Sequence, residues 1–263
     1  MTGTAQSNLP ERWLEHAEPW DEELTPFKEA LVLNGDTYRM EVLFDTVPMQ
    51  TDVMAVTHDD PHARFSPSRS LFYLRRILPA GMPLDIAEGH KRGRVCWTTP
   101  IAIPILAQSV PRRSSNGALT GDFHTYTWMS LTPAEVFTLR FGLRAARGDV
   151  MIGGLGLGWF LGRVCAKASV RRVRVIELRE ELIDWLRPAI ESAFPSTLTK
   201  QVEWVVGNAW DHIDCFGSET CNLIDIWPNY YDAPSDPVLR EIRSRRNPAH
   251  LWCWGEDSGG EVS

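Results

Sequence analysis

The chain has 263 residues, enough to bury a proper core as one large domain or as a core with an accessory region. Its 27 basic and 34 acidic residues sum to −7, which argues against nucleic acid or a membrane surface as partner; short basic clusters such as Lys91-Arg92 and Arg171-Arg172 read as solvated surface. Five cysteines without CxxC spacing, a polar and acidic start and no apolar run of membrane-spanning length lead to the expectation of a cytoplasmic protein.

Residues 1–130 show few long helical periods and read as a β-rich accessory region that helps hold a substrate. Leu24 to Leu33 fits a short helix, and Thr37 to Phe44 and Thr51 to Val56 alternate as strands do. His58, Asp59, Asp60 and His62 surround Pro61 in a loop-like stretch, so a solvated turn is expected there and no metal site. Ser66 to Leu78 reads as an amphipathic helix, with Leu71, Leu74 and Ile77 at helical spacing. Arg94 to Leu106 is β-branched, but Pro100 and Pro104 point to edge strands or extended chain. Pro111 to Gly121 reads as a turn-rich loop, and Phe123 to Met129 alternates again.

From residue 131 the rhythm changes. Thr132-Pro133-Ala134-Glu135 opens a helix toward Ala146, with Thr at the N-cap and Pro at the first position. The apolar run Val150, Met151, Ile152 then enters a glycine cluster, and strand and helix alternate to the end. Helices are expected at 157–168, at 179–193 (bent or ended at Pro188), and at Pro237 to Arg246, with a helical turn near Ala209 to Ile213. Strands are expected at 171–177, Val202 to Val206, Cys221 to Ile226 and His250 to Trp254. Such alternation predicts an α/β fold, a doubly wound and mostly parallel sheet over 131–263 with ligands outside the carboxyl ends of its strands.

The chemistry collects at four of those ends. The first carries Gly154, Gly156 and Gly158, where bare backbone approaches a ligand closely. The second ends on Glu177, an acceptor for ribose hydroxyls. The third carries Gly207-Asn208-Ala209-Trp210 and the fourth Asp225-Ile226-Trp227-Pro228. Asp225, ending a buried strand, is the candidate catalytic or substrate-orienting group. Of the eleven tryptophans, Trp128, Trp210 and Trp227 fall beside this site.

These segments resemble the class I S-adenosylmethionine-dependent methyltransferases, in particular the branch that includes the spermidine synthases. VMIGGLGLG is similar to the family's glycine motif, VRVIELREELIDWL to its acidic motif and VEWVVGNAWDHI to its third motif. The resemblance implies a Rossmann-like fold with S-adenosylmethionine as cofactor. Gly154, Gly156 and Gly158 would lie against its methionine and ribose, Glu177 would bind both ribose hydroxyls, and Asn208 and Ala209 would meet the adenine. Trp227, Pro228, Asn229 and Tyr230 resemble the family's acceptor-side loop, so Trp227 and Tyr230 join Asp225 as candidate catalytic residues.

The resemblance implies a methyltransferase, and the acceptor expected for it is a small molecule; a homodimer is the assembly considered, which the sequence does not itself specify. Leu157 stands where the spermidine synthases carry an amine-holding Asp, which speaks against aminopropyl transfer. EDSGGEVS leaves no room for the family's sixth and seventh strands, so either N-terminal strands complete the sheet or the fold is truncated after strand five. The alternatives are a non-catalytic protein of this fold, serving as ligand sensor or scaffold, and a spermidine synthase-like aminopropyltransferase.

Overall fold

The computed structural model describes residues 49–50, 63–78, 84–88, 91–95, 101–131, 133–227, 232–245 and 250–256. The expected helix at 24–33, the strands at 37–44 and 51–56, the turn at 58–62 and Tyr230 lie outside these residues.

Among the described residues before 131, the regular structure is strand. β1 (Met49–Gln50), β2 (Arg64–Phe65), β3 (Leu71–Leu78), β6 (Ile101–Arg113) and β7 (Leu119–Ser130) form one sheet in the order β1-β3-β6-β7, with β2 also on β3. β4 (Leu84–Glu88) and β5 (Lys91–Val95) pair as a separate antiparallel hairpin. The helix expected over 66–78 is therefore a turn followed by a strand. Leu71 to Leu74 are all buried, so four consecutive apolar residues carry no period, and pairing with β6 decides the matter.

Pro104 also departs from expectation, because β6 lies inside the sheet between β3 and β7. A strand residue points its N–H and C=O toward the same neighbour. The Pro104 carbonyl accepts from Leu131 N–H, just past the last residue of β7. Its missing N–H thus falls where β7 has run out, and no ladder bond is lost. The loop expected at 111–121 is shorter than the sequence suggests: only 114–118 turn, while Pro111 pairs with Phe123 and Arg113 with Leu119.

The second half alternates as its sequence predicts: α1 (Pro133–Ala145), β8 (Gly148–Gly153), α2 (Trp159–Ala166), β9 (Val170–Glu177), α3 (Glu180–Ala193), the single turn α4 (Ser196–Thr199), β10 (Val202–Val206), β11 (Cys221–Ile224), α5 (Pro237–Arg245) and β12 (Leu251–Cys253). The strands form a parallel sheet ordered β10-β9-β8-β11-β12. Strand order reverses between β8 and β11, the place where such sheets open a crevice.

Alternate residues of each strand feed different cores. Val150, Ile152, Val173 and Val175 pack with α2 and α3 through Leu161, Val164, Leu182, Leu186 and Ile190. Met151, Ile176 and Ile224 pack on the other face with Ile213 and with Leu239 of α5. Helices on both faces make the fold a doubly wound, Rossmann-like α/β sheet. Leu71, Tyr73 and Leu106 join the first of those cores, so the N-terminal sheet shares its interior with the parallel sheet. α3 runs through Pro188 without ending. Pro188 lies on the exposed side, while the stripe Leu182, Ile183, Leu186, Ile190 is buried, each residue contributing about 1.5–3 kcal/mol, which outweighs the lost helical bond.

Candidate active site

Main-chain bonds gather the strand ends before any side chain contributes. Gly154 N–H donates to Ile176 O at 2.8 Å, Asp225 N–H to Gly153 O at 2.8 Å, and Gly207 N–H to Glu177 O at 3.0 Å. Four chain segments, each leaving the sheet at its carboxyl edge, are thereby held side by side. Gly154 has φ 93°, and a Cβ there would overlap the Asp225 carbonyl oxygen, so only glycine lets β8 and β11 separate at this spacing. Gly156 has φ 53°, and a Cβ on it would come within 2.5 Å of Met129 Cε, so the bare turn is what admits the Met129 thioether.

These ends border a cavity of about 390 Å³. Of the expected ligand-holding residues, Gly154, Gly156, Glu177, Asn208 and Ala209 all line it, and so do Asp225 and Trp227. Gly158 stands apart: it opens α2 and packs beside Ile190.

Glu177 is 8% exposed, and both its oxygens are held by main chain. Leu155 N–H, inside the glycine turn, donates to Oε2 at 3.1 Å, and Arg179 N–H donates to Oε1 at 3.0 Å. A carboxylate has about four lone-pair sites, so roughly two remain for a ligand. Asn208 accepts from Trp210 N–H at 3.1 Å, which orients its amide and opens the short 3-10 turn Ala209–His212. Ala209 N–H, in the first position of that turn, has no earlier carbonyl of the turn to bond.

A second cavity of about 280 Å³ adjoins the first. The two share Trp128, Met129, Asp225 and Trp227, and the second runs on to Ser130, Glu135 and Trp254. Trp227 is anchored by its Nε1–H to Asp236 Oδ2 at 2.8 Å, and its ring lies 5.9 Å from that of Trp210. Asp236 also takes Val238 N–H at 2.8 Å, so the indole is tied to the start of α5.

Asp225 stands at the junction. No described residue hydrogen-bonds its carboxyl group, and its residual exposure is to the cavities it borders. Burial, and after it the nearby Glu135 carboxylate, push its pKa up from 3.8 to about 7. A carboxyl group poised near neutrality beside a cavity is suited to taking up or releasing a proton. Glu135 itself is bonded by Ser130 Oγ at 3.0 Å.

Three wall residues were not legible as such in the sequence. Glu135 reads there as an acid in the first turn of a helix, and only the packing of α1 against β12, with Trp254 Nε1–H donating to Thr138 Oγ1 at 2.8 Å, gives it a cavity. Met129 reads as one more strand residue. Leu178 carried a usable signal: it directly follows the acid at a strand end, and at 72% exposure it is an apolar side chain left on the rim.

No protein-family model matches the chain, and no curated protein matches it. Among solved structures, the spermidine synthase from Thermotoga maritima is 15% identical with a TM-score of 0.31, over 56% of this chain and 54% of that one. A spermidine synthase in complex with the transition-state analogue AdoDATO is 17% identical, also with a TM-score of 0.31, over 62% of this chain and 52% of that one. The matched stretch thus spans about half the length of each of those enzymes, and at this similarity the likeness carries nothing about activity.

Proposed function

We propose that the protein holds S-adenosylmethionine in the larger cavity and transfers its methyl group to a small acceptor seated in the smaller one. The observation that supports this most is Glu177, a buried carboxylate at the end of β9, fixed by the glycine turn itself and bordering the cavity with acceptor capacity to spare. That arrangement suits the two hydroxyls of a ribose. Exposed Leu178 offers an apolar surface for the adenine ring to cover. Asn208 Oδ1 retains a lone pair for the exocyclic amine, and Ala209 N–H is available to the ring.

The sulfonium supplies an already activated methyl carbon, so the chain's task is alignment and proton handling. Trp128 and Trp227 wall the junction of the cavities. Asp225, near neutrality in its own ionisation, accepts the proton that an N–H or O–H acceptor sheds.

Isothermal titration with S-adenosylmethionine and S-adenosylhomocysteine tests the reading. Both give heat, and Glu177→Ala loses about 1.5–3 kcal/mol of binding, the value of charge-assisted hydrogen bonds. No heat from either compound at high micromolar concentration counts against it.

One observation favours a second reading, aminopropyl transfer from decarboxylated S-adenosylmethionine. None of the described residues lining the larger cavity is basic, so a methionine carboxylate would meet no cationic side chain among them. Leu157, buried at 1% in the core, supplies no acid from the glycine turn and weighs against it. Tighter binding of the decarboxylated compound in the same titration would favour this second reading.

A further inference from the structure

We propose that Arg179 is a positioning residue of this site, fixing the indole that walls both cavities; the binding arm of its test rests on the nucleoside reading above. The residue follows the site acid by two positions and contributes twice. Its main-chain N–H holds Glu177 Oε1, as described. Its guanidinium lies 4.8 Å from the centroid of the Trp128 ring. Trp128 belongs to β7, borders both cavities and is only half-buried, so its own neighbours do not enclose it.

The guanidinium is itself anchored from the other side. Its Nη2 donates to Ser70 Oγ at 3.1 Å and stands 3.5 Å from Glu181 Oε2. Glu181 Oε1 in turn accepts Ser68 N–H at 2.8 Å. Burial alone would raise the Glu181 pKa, but hydrogen bonds from Ser68 and Ser66, with the Arg179 charge, hold it below the usual glutamate range. The turn is closed by Leu71 N–H donating to Ser66 Oγ at 3.2 Å, where β3 begins. A continuous chain of contacts therefore runs from the start of β3, through the 66–70 turn and Glu181, to the arginine and onto the tryptophan face.

A forked group makes all of these contacts at once. The guanidinium carbon lies over the indole while Nη2 reaches Ser70 and Glu181; an ammonium keeps the charge but, as a single point, cannot span ring, hydroxyl and carboxylate together. Arg179 thus acts on the site through Trp128, and its effect must vanish when the indole is absent.

A double-mutant cycle on the full chain reads this, with S-adenosylhomocysteine as the titrated probe. Arg179→Lys weakens binding about three- to tenfold in the wild-type background and has no further effect in Trp128→Leu. In parallel, 5-fluorotryptophan labelling gives a fluorine resonance for Trp128, assigned from its loss in Trp128→Leu. Arg179→Lys shifts or broadens that resonance and leaves those of Trp185 and Trp204 in place. Equal losses of affinity in the two backgrounds, or an unmoved Trp128 resonance, overturn the proposal. If the wild-type chain binds no probe at all, the nucleoside reading falls, and the fluorine resonance still decides whether Arg179 sets the indole.

Discussion

Replacing Asp225 by asparagine removes a carboxylate that the fold keeps at a cost. An aspartate ionises near 3.8 in an unfolded chain and near 7 here. Below 3.8 both states carry the proton, and the group makes no difference to stability. Between the two values the unfolded chain has released its proton while the folded chain retains it, so the folded state loses about 1.4 kcal/mol with each pH unit. Above about 7 the loss is complete, on the order of 4 kcal/mol, or about 2–4 kcal/mol after allowing for water in the cavities.

Asparagine copies the shape of the protonated acid and titrates nowhere. Asp225→Asn should therefore match the wild type in urea denaturation at about pH 4 and exceed it by about 2–4 kcal/mol at about pH 8.5, while losing transfer activity. The eleven tryptophans make fluorescence a ready readout of unfolding. Equal stability of the two proteins at the higher pH would refute the burial argument. Because burial is the larger cause and Glu135 the smaller, Glu135→Gln should recover only the lesser part of the gain.

Gly154→Ala drives a Cβ into the Asp225 carbonyl and forces a left-handed backbone on alanine, so it should lower the melting temperature far more than Gly117→Ala. Gly117 has φ 83° but open space around it, so its replacement should cost only about 1 kcal/mol, the strain of the backbone alone. Transfer activity, once an acceptor is found, should rise with pH through about 7 as Asp225 becomes a base, and a rate–pH profile without that limb would remove it from proton transfer. Trp227→Phe keeps a ring but loses the bond to Asp236, and should weaken acceptor binding more than S-adenosylhomocysteine binding in parallel titrations.

The parallel sheet was readable because its strands are short apolar runs closed by glycine, an acid or a turn, and its helices carry apolar stripes. The cavity's lining was readable for the same reason: Gly154 and Asp225 directly follow a strand, Glu177 ends one, and Asn208 lies two residues past one. What was not legible came from partners distant in sequence. Leu71 to Leu74 are a strand because β6 lies beside them, not because of their spacing. Pro104 is tolerated inside a sheet because a neighbouring strand ends at that point. Glu135 and Met129 reach the site only through the packing of α1 and β7 against the parallel sheet, and no local pattern records such a meeting.

On the proposed reading, the Glu177 carboxylate, held by the main-chain N–H groups of Leu155 and Arg179, grips the sugar of an adenosyl ligand in the larger cavity. A crystal structure with S-adenosylhomocysteine tests it most directly. In that complex the ribose hydroxyls should lie within hydrogen-bonding distance of Glu177, with the adenine between Leu178 and Asn208. A nucleoside bound elsewhere, or Glu177 turned from the sugar in that complex, would contradict it.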